Sequence, residues 1–142
     1  MFEDPEPEDR PLNLLIVEDE ALIAMLIEDA LTLHGHTIVG TADNVQEAIA
    51  LGQAGDVDLA LCDVRLAQGD SGVDAAVKLA ELGIPVIYLS GNCPGRADHR
   101  LILGCVSKPF HTAALHKSVV AAHSIAAGAA PPMIPTALTL YS

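Results

Sequence analysis

The stretch Leu12-Asn13-Leu14-Leu15-Ile16-Val17-Glu18-Asp19-Glu20 decides the class of the fold. Leu12–Val17 is a short, nearly continuous apolar run, as a strand buried on both faces requires. It stops in three acidic residues, and Ala21–Leu33 then carries apolar side chains at 22, 23, 26, 27, 30, 31 and 33. That spacing, with Gly35 behind it as a stop, predicts a helix. The same alternation continues outward. Thr37–Thr41 is β-branched and strand-like, and Asn44 caps a helix to about Gln53 with Gly55 beyond it. Leu59–Cys62 is a third strand, Ser71–Leu82 a helix closed by Gly83, and Pro85–Leu89 a fourth strand. Cys105–Ser107 is a short fifth strand and His111–Ala127 a last helix. Strands alternating with helices of this size call for an α/β fold, a three-layer sandwich with a parallel sheet and helices on both faces.

With 142 residues, 51% of them hydrophobic, the chain makes one ordinary domain and is not globally disordered. Seven basic against nineteen acidic residues give a net charge of −12, a poor basis for binding a phosphate backbone. No Trp, two Phe and two Tyr leave no platform for stacking bases. Direct nucleic-acid binding is therefore not expected. The charge is uneven: every acid precedes residue 99, and the segment beyond carries only Arg100, Lys108 and Lys117. Three cysteines, Cys62, Cys93 and Cys105, form no CxxC pair. That argues against a disulfide framework or structural zinc and for a reducing compartment, with small core residues as the expected role of Cys93 and Cys105. The N-terminus is acidic and no apolar run approaches the roughly 18 residues a spanning helix needs, so a cytoplasmic protein is expected. Residues 1–11 read as a flexible acidic arm, 12–127 as the domain, and 128–142 as a Gly/Ala/Pro-rich extension. Pro131, Pro132 and Pro135 favour a loose extension, with docking on the domain or a partner through Met133, Ile134, Leu138, Leu140 and Tyr141 as the alternative. The six histidines show no metal-ligand spacing, and those at 34 and 36 read as inert surface residues at a helix end.

In an open parallel sheet the site forms at the carboxyl ends of the strands. Strand one ends there in Glu18-Asp19, strand three in Asp63, strand four in Ser90 and strand five in Lys108. Three converging carboxylates repel one another unless a cation joins them. Oxygen-only ligands suit a hard cation with retained waters, Mg²⁺ above all. A carboxylate beside Mg²⁺, an ammonium and a hydroxyl is equipped to accept a phosphoryl group, with Asp63 as the attacking group.

Four segments carry a resemblance: Leu14-Leu15-Ile16-Val17-Glu18-Asp19-Glu20, Leu61-Cys62-Asp63-Val64-Arg65-Leu66, Tyr88-Leu89-Ser90-Gly91 and Ser107-Lys108-Pro109-Phe110. In order and spacing they are similar to the signature blocks of the response-regulator receiver domain over about residues 12–127. The resemblance implies a flavodoxin-like sheet of five parallel strands in order 2-1-3-4-5. It implies phosphorylation of Asp63 by a histidine kinase or histidine-phosphotransfer protein. Asp19, Asp63 and the Arg65 backbone carbonyl would bind Mg²⁺, with Glu18 acting mostly through water. Ser90 would swing toward the phosphoryl group, Lys108 would pair with it, and the Lys108–Pro109 bond would be cis.

The sequence also departs from the family. Cys105 stands where receivers usually carry an aromatic switch residue, and Ala67 stands where many have a proline. The interval from Ser90 to Lys108 is short, and Asn92-Cys93-Pro94-Gly95 occupies the start of helix four, which is expected to be shortened. These departures resemble a stand-alone subgroup with a Phe-Ala-Thr-Gly-like fourth strand. Arg65 and Asn92, two residues beyond Asp63 and Ser90, are candidates for tuning the lifetime of the phosphoryl group. The expected function is a single-domain response regulator, not an enzyme, acting through a downstream protein, a homodimer or a phosphorelay. Two alternatives stand beside it. One is an aspartyl-nucleophile phosphotransferase or hydrolase, although Asp63-Val64-Arg65 lacks the second aspartate such enzymes use. The other is a degenerate receiver acting as a constitutive interaction module.

Overall fold

A computed structural model describes residues 11–66, 71–129 and 134–141. The acidic arm, apart from Pro11, and Ala67 lie outside the described residues. The element order is β1 (Asn13–Val17), α1 (Ala21–Leu33), β2 (Thr37–Ala42), α2 (Val45–Gln53), β3 (Leu59–Asp63), α3 (Gly72–Glu81), β4 (Val86–Ser90), β5 (Ile102–Ser107), α4 (Thr112–Ala126) and β6 (Leu138–Leu140). The sheet runs β2-β1-β3-β4-β5-β6, with the first five strands parallel.

Alternation along the buried strands divides the core in two. Leu14, Ile16, Leu59, Leu61, Ile87, Leu89 and Val106 face one side, where they pack with Ile27 and Leu31 of α1 and Leu115 and Val119 of α4. Leu15, Val17, Ala60, Cys62, Tyr88 and Cys105 face the other, with Ala48 of α2 and Ala75, Ala76 and Leu79 of α3. Because both faces are covered, β1, β3 and β4 are apolar at nearly every position, the pattern seen in the sequence. Local signals set the helix ends. The Asn44 side chain accepts from Glu47 N–H at 2.8 Å, and Ser71 Oγ accepts from Asp74 N–H at 3.3 Å. After α1 the chain turns at Gly35, whose φ of 89° suits glycine. No helix of the described residues is long and apolar enough to cross a membrane.

Three features differ from the sequence reading. The shortening of helix four goes to completion, with no helix among residues 91–101. Pro94 has no N–H to offer a helix. Asn92 also spends its backbone N–H and carbonyl on the Ser90 hydroxyl, at 3.1 and 3.0 Å. Secondly, Cys93 and Cys105 are joined in a disulfide, which corrects the reading of both as free core residues. Twelve residues apart, they meet because the helix-free loop folds its Cys93 back over β5.

Thirdly, part of the C-terminal extension docks on the sheet. Residues 138–140 pair antiparallel with β5, in the register Gly104↔Leu140, Cys105↔Thr139 and Val106↔Leu138. Backbone pairing and the burial of Leu138 outweigh the proline-rich composition around them. Gly104 admits the strand, since a Cβ there would lie 2.5 Å from the Thr139 carbonyl oxygen. Tyr141 then donates its hydroxyl to the Pro94 carbonyl at 2.8 Å and meets Tyr88 edge-on.

Candidate functional site

The carboxyl ends of β1, β3, β4 and β5 form one rim. The parallel register pairs Val17 with Cys62 and Ser90 with Ser107, so the residues that follow these pairs emerge side by side. Lys108 N–H donates to the Ser90 carbonyl at 2.9 Å, which fixes the fourth and fifth strand ends to each other. The Lys108–Pro109 peptide is cis.

Lys108 Nζ donates to Asp63 Oδ2 at 2.8 Å and to Glu18 Oε1 at 3.0 Å, joining the ends of three strands. The other oxygen of Asp63, Oδ1, accepts from Arg65 N–H at 2.9 Å. Glu18 Oε2 accepts from Glu20 N–H at 3.3 Å. Glu18, Asp19 and Asp63 each present an oxygen within 4.8 Å of the others. Burial, reinforced by Asp63, outweighs Lys108 and raises the Glu18 carboxyl from 4.5 to about 7. For Lys108 burial works against the ammonium, but its bonds to Asp63 and Glu18 prevail and raise its pKa. The excess of acid over base and the all-oxygen donor set fit a hard divalent cation. Glu18, Asp19 and Asp63 are the side chains that would hold it.

An open cleft of about 440 Å³ lies over this rim, lined by Asp19, Glu20, Asp63, Arg65, Leu66, Ser90, Gly91 and Asn92. Arg65 and Asn92 thus lie in the same cleft as Asp63 and Ser90. The Ser90 hydroxyl is engaged with Asn92 and makes no hydrogen bond to Asp63. Beside the cleft, Ile23, Leu26, Lys108, Pro109 and Phe110 line an apolar hollow of about 370 Å³. Leu22, Met25 and Leu26 on the adjoining face of α1 are 76%, 54% and 59% exposed.

A family model for the response regulator receiver domain matches residues 14–120. This chain belongs to that family. It is 41% identical over 81 residues to the transcriptional regulatory protein PdtaR of Mycobacterium tuberculosis, which is 56% of this chain and 39% of PdtaR. It is therefore similar to well under half of that regulator. The crystal structure of the response regulator PhyR from Brucella abortus matches with a TM-score of 0.73 at 32% identity, over 86% of this chain and 52% of that one. The solution structure of SdrG from Sphingomonas melonis matches with a TM-score of 0.64 at 33% identity, over 79% of this chain and 96% of that one. These relatives place the chain among bacterial two-component signalling receivers. Receiver domains generally bind Mg²⁺ at an acidic pocket, and Glu18, Asp19 and Asp63 form such a cluster here.

Two contributors to the site escape a reading by motif. Gly72, the first residue of α3, packs so tightly on β3 that a Cβ would overlap the Asp63 backbone carbonyl oxygen. Its N–H also donates to the Val64 carbonyl at 2.9 Å, anchoring the residues around Asp63. The second is the disulfide, whose Cys93 follows directly on the Asn92 that holds Ser90. Spacing from Asp63 gives no sign of the first, and an odd cysteine count conceals the second.

Proposed function

We propose that this receiver accepts a phosphoryl group on Asp63 from a phosphohistidine of a histidine kinase or phosphotransfer protein, and signals through a protein partner. The observation that carries the reading is the Asp63 carboxylate. Arg65 N–H holds one of its oxygens, Lys108 Nζ the other, and it opens into a cleft shared with Asp19 and Ser90. A carboxylate oxygen of Asp63 attacks phosphorus, the P–N bond to the donor imidazole breaks, and that nitrogen keeps the electron pair and takes a proton. Lys108, already at the carboxylate, moves its charge to the phosphoryl oxygens as they arrive. Ser90 leaves Asn92 to hydrogen-bond one of them. Glu18, Asp19, Asp63 and the Arg65 carbonyl would hold Mg²⁺, which supplies charge neutralisation at the phosphoryl oxygens. Arg65 and Asn92 flank the path of attacking water and set how long the phosphoryl group persists.

The exposed Leu22, Met25 and Leu26 beside the hollow at Lys108 offer the donor protein an apolar seat next to Asp63. The net charge of −12 supports a protein partner over direct contact with nucleic acid. The family supports a cytoplasmic, non-enzymatic role, in which a second copy of the chain is one partner to test. Incubation with Mg²⁺ and acetyl phosphate, followed by intact-mass measurement, tests the central claim. A base-labile gain of one phosphoryl group, absent in Asp63→Asn and in excess chelator, is expected. No gain, or an equal gain in Asp63→Asn, overturns it.

A further inference from the structure

We infer that the Cys93–Cys105 disulfide is a reversible redox clamp on Ser90, which makes phosphoryl signalling at Asp63 conditional on the thiol balance around the protein. The inference rests on the reading of Asp63 as the phosphoryl acceptor and adds a control to it. Three observations carry it. The Ser90 hydroxyl donates to the Asn92 carbonyl at 3.0 Å and accepts from Asn92 N–H at 3.1 Å, so the side chain is bound to its own loop. The next residue, Cys93, is bonded to Cys105, and Cys105 pairs with Tyr88, two residues before Ser90 on β4. The segment from Tyr88 to Cys93 is thus closed into a ring through the disulfide and the β4–β5 pairing. Tyr141, at the end of β6, adds a hydrogen bond to Pro94 just outside that ring. A loop without a helix holds Asn92 by these ties, and release of the covalent one loosens the residue that Ser90 must leave.

Cys93 is half-buried and Cys105 fully buried, so the exchange is drawn with Cys93 as the sulfur attacked. A thiolate of a dithiol reductant attacks Cys93 Sγ, the Sγ–Sγ bond breaks, and its electron pair leaves on Cys105 Sγ, which takes up a proton. The reductant's second thiolate then attacks the mixed disulfide and releases Cys93, which is protonated in turn. Two electrons and two protons enter the protein and the reductant leaves as its disulfide; oxidation is the reverse exchange with an oxidised dithiol. Cys62 takes no part. It is buried, its thiol points at the Gly72 carbonyl at 3.2 Å, and burial pushes its pKa far above the usual thiol range.

The test compares the full chain after oxidation and after treatment with dithiothreitol, with alkylation and mass measurement to count thiols. Amide hydrogen exchange at Asn92 and Cys93 reads the clamp without reference to phosphorylation, and acetyl phosphate with Mg²⁺ reads its effect on Asp63. One thiol after oxidation and three after reduction, both counted after unfolding, are expected. Reduction should speed amide exchange at Asn92 and Cys93 and raise phosphoryl uptake about tenfold, the worth of one hydrogen bond to a charged oxygen. A Cys93→Ser, Cys105→Ser variant should behave as the reduced chain and ignore the reductant. Three thiols after oxidation, equal exchange in both states, or equal uptake by two phosphorylated states each overturn the clamp. Faster exchange with no phosphoryl uptake in either state supports the clamp and refutes the Asp63 reading instead.

Discussion

As the pH falls from 7.5 to 5, His36 should withdraw stability from the native fold, a contribution opposite in sign to that of Glu18, whose carboxyl is raised to about 7. The ring is 4% exposed, against the expectation of a surface histidine. Its Nδ1 accepts from Leu12 N–H at 3.0 Å, so the neutral ring carries its proton on Nε2, which faces His116 Nδ1 at 2.9 Å. His116 in turn stacks on His34, with ring centroids 4.0 Å apart. A second proton on His36 would displace the bond from Leu12, which immediately precedes β1. Burial first, and then His116 and His34, lower its pKa from 6.5 to about 4. Between those values the unfolded chain binds the proton and the native chain does not. The stabilisation is therefore complete above about pH 6.5 and is lost as pH falls toward 4. The slope is about 1.4 kcal/mol per pH unit, which amounts to about 2 kcal/mol by pH 5. Urea unfolding at half-unit pH intervals measures this, with His36→Gln as the reference. The glutamine carbonyl can accept from Leu12 N–H but takes up no proton. The wild-type curve should fall away from the variant's below pH 6.5 by about one proton's slope. Two curves that run parallel down to pH 5 would refute the reasoning.

Lys108→Met leaves the buried Glu18 carboxylate without its cation, and a loss of about 2 kcal/mol at pH 7 is expected in urea unfolding, less than for a fully buried pair because the lysine is 21% exposed. Gly72→Ala forces a methyl into the Asp63 carbonyl, so a loss of about 3 kcal/mol or more should accompany shifted Asp63 and Val64 resonances in nuclear magnetic resonance spectra. Replacing Cys93 and Cys105 by alanine opens a loop of twelve residues' separation and should cost about 3 kcal/mol of stability under oxidising conditions. The same measurement in reductant should show a far smaller difference from wild type.

The parts of the fold legible in the sequence are those where local pattern and global burial agree. Leu14–Val17, Leu59–Cys62 and Val86–Leu89 are buried on both faces, so unbroken apolar runs identify them as strands. Once strands are placed, the parallel topology alone carries Glu18, Asp19, Asp63, Ser90 and Lys108 to one rim, because each ends or follows a strand. What stayed hidden depends on partners far along the chain. His36 and His116 meet across 80 residues, and no periodicity marks the pair. Leu138–Leu140 is too short for a period-two signal and lies beyond three prolines; its partner is the edge of β5, opened by Gly104. Cys93 reaches Cys105 only because the segment between β4 and β5 makes no helix, a consequence of Ser90, Asn92 and Pro94 acting together.

The electrostatics of the rim connect the cation, the phosphoryl group and Ser90 in one argument. Glu18, Asp19 and Asp63 bring three negative charges within 4.8 Å, and Lys108 bonds two of them with one positive charge. With Glu18 ionised, the rim is left with two negative charges in excess. Burial first, and then Asp63, raise the Glu18 carboxyl to about 7, so its ionised form is disfavoured at this rim. A divalent cation at these carboxylates would cancel the excess, and a phosphoryl group on Asp63 would then restore negative charge at the same place. The new charge needs donors that the resting rim lacks. Lys108 is at hand, but Ser90 is tied to Asn92, and Asn92 is tied through Cys93 to β5. On the proposed reading, phosphorylation of Asp63 would draw on Ser90, and the disulfide would set whether the loop can yield to it.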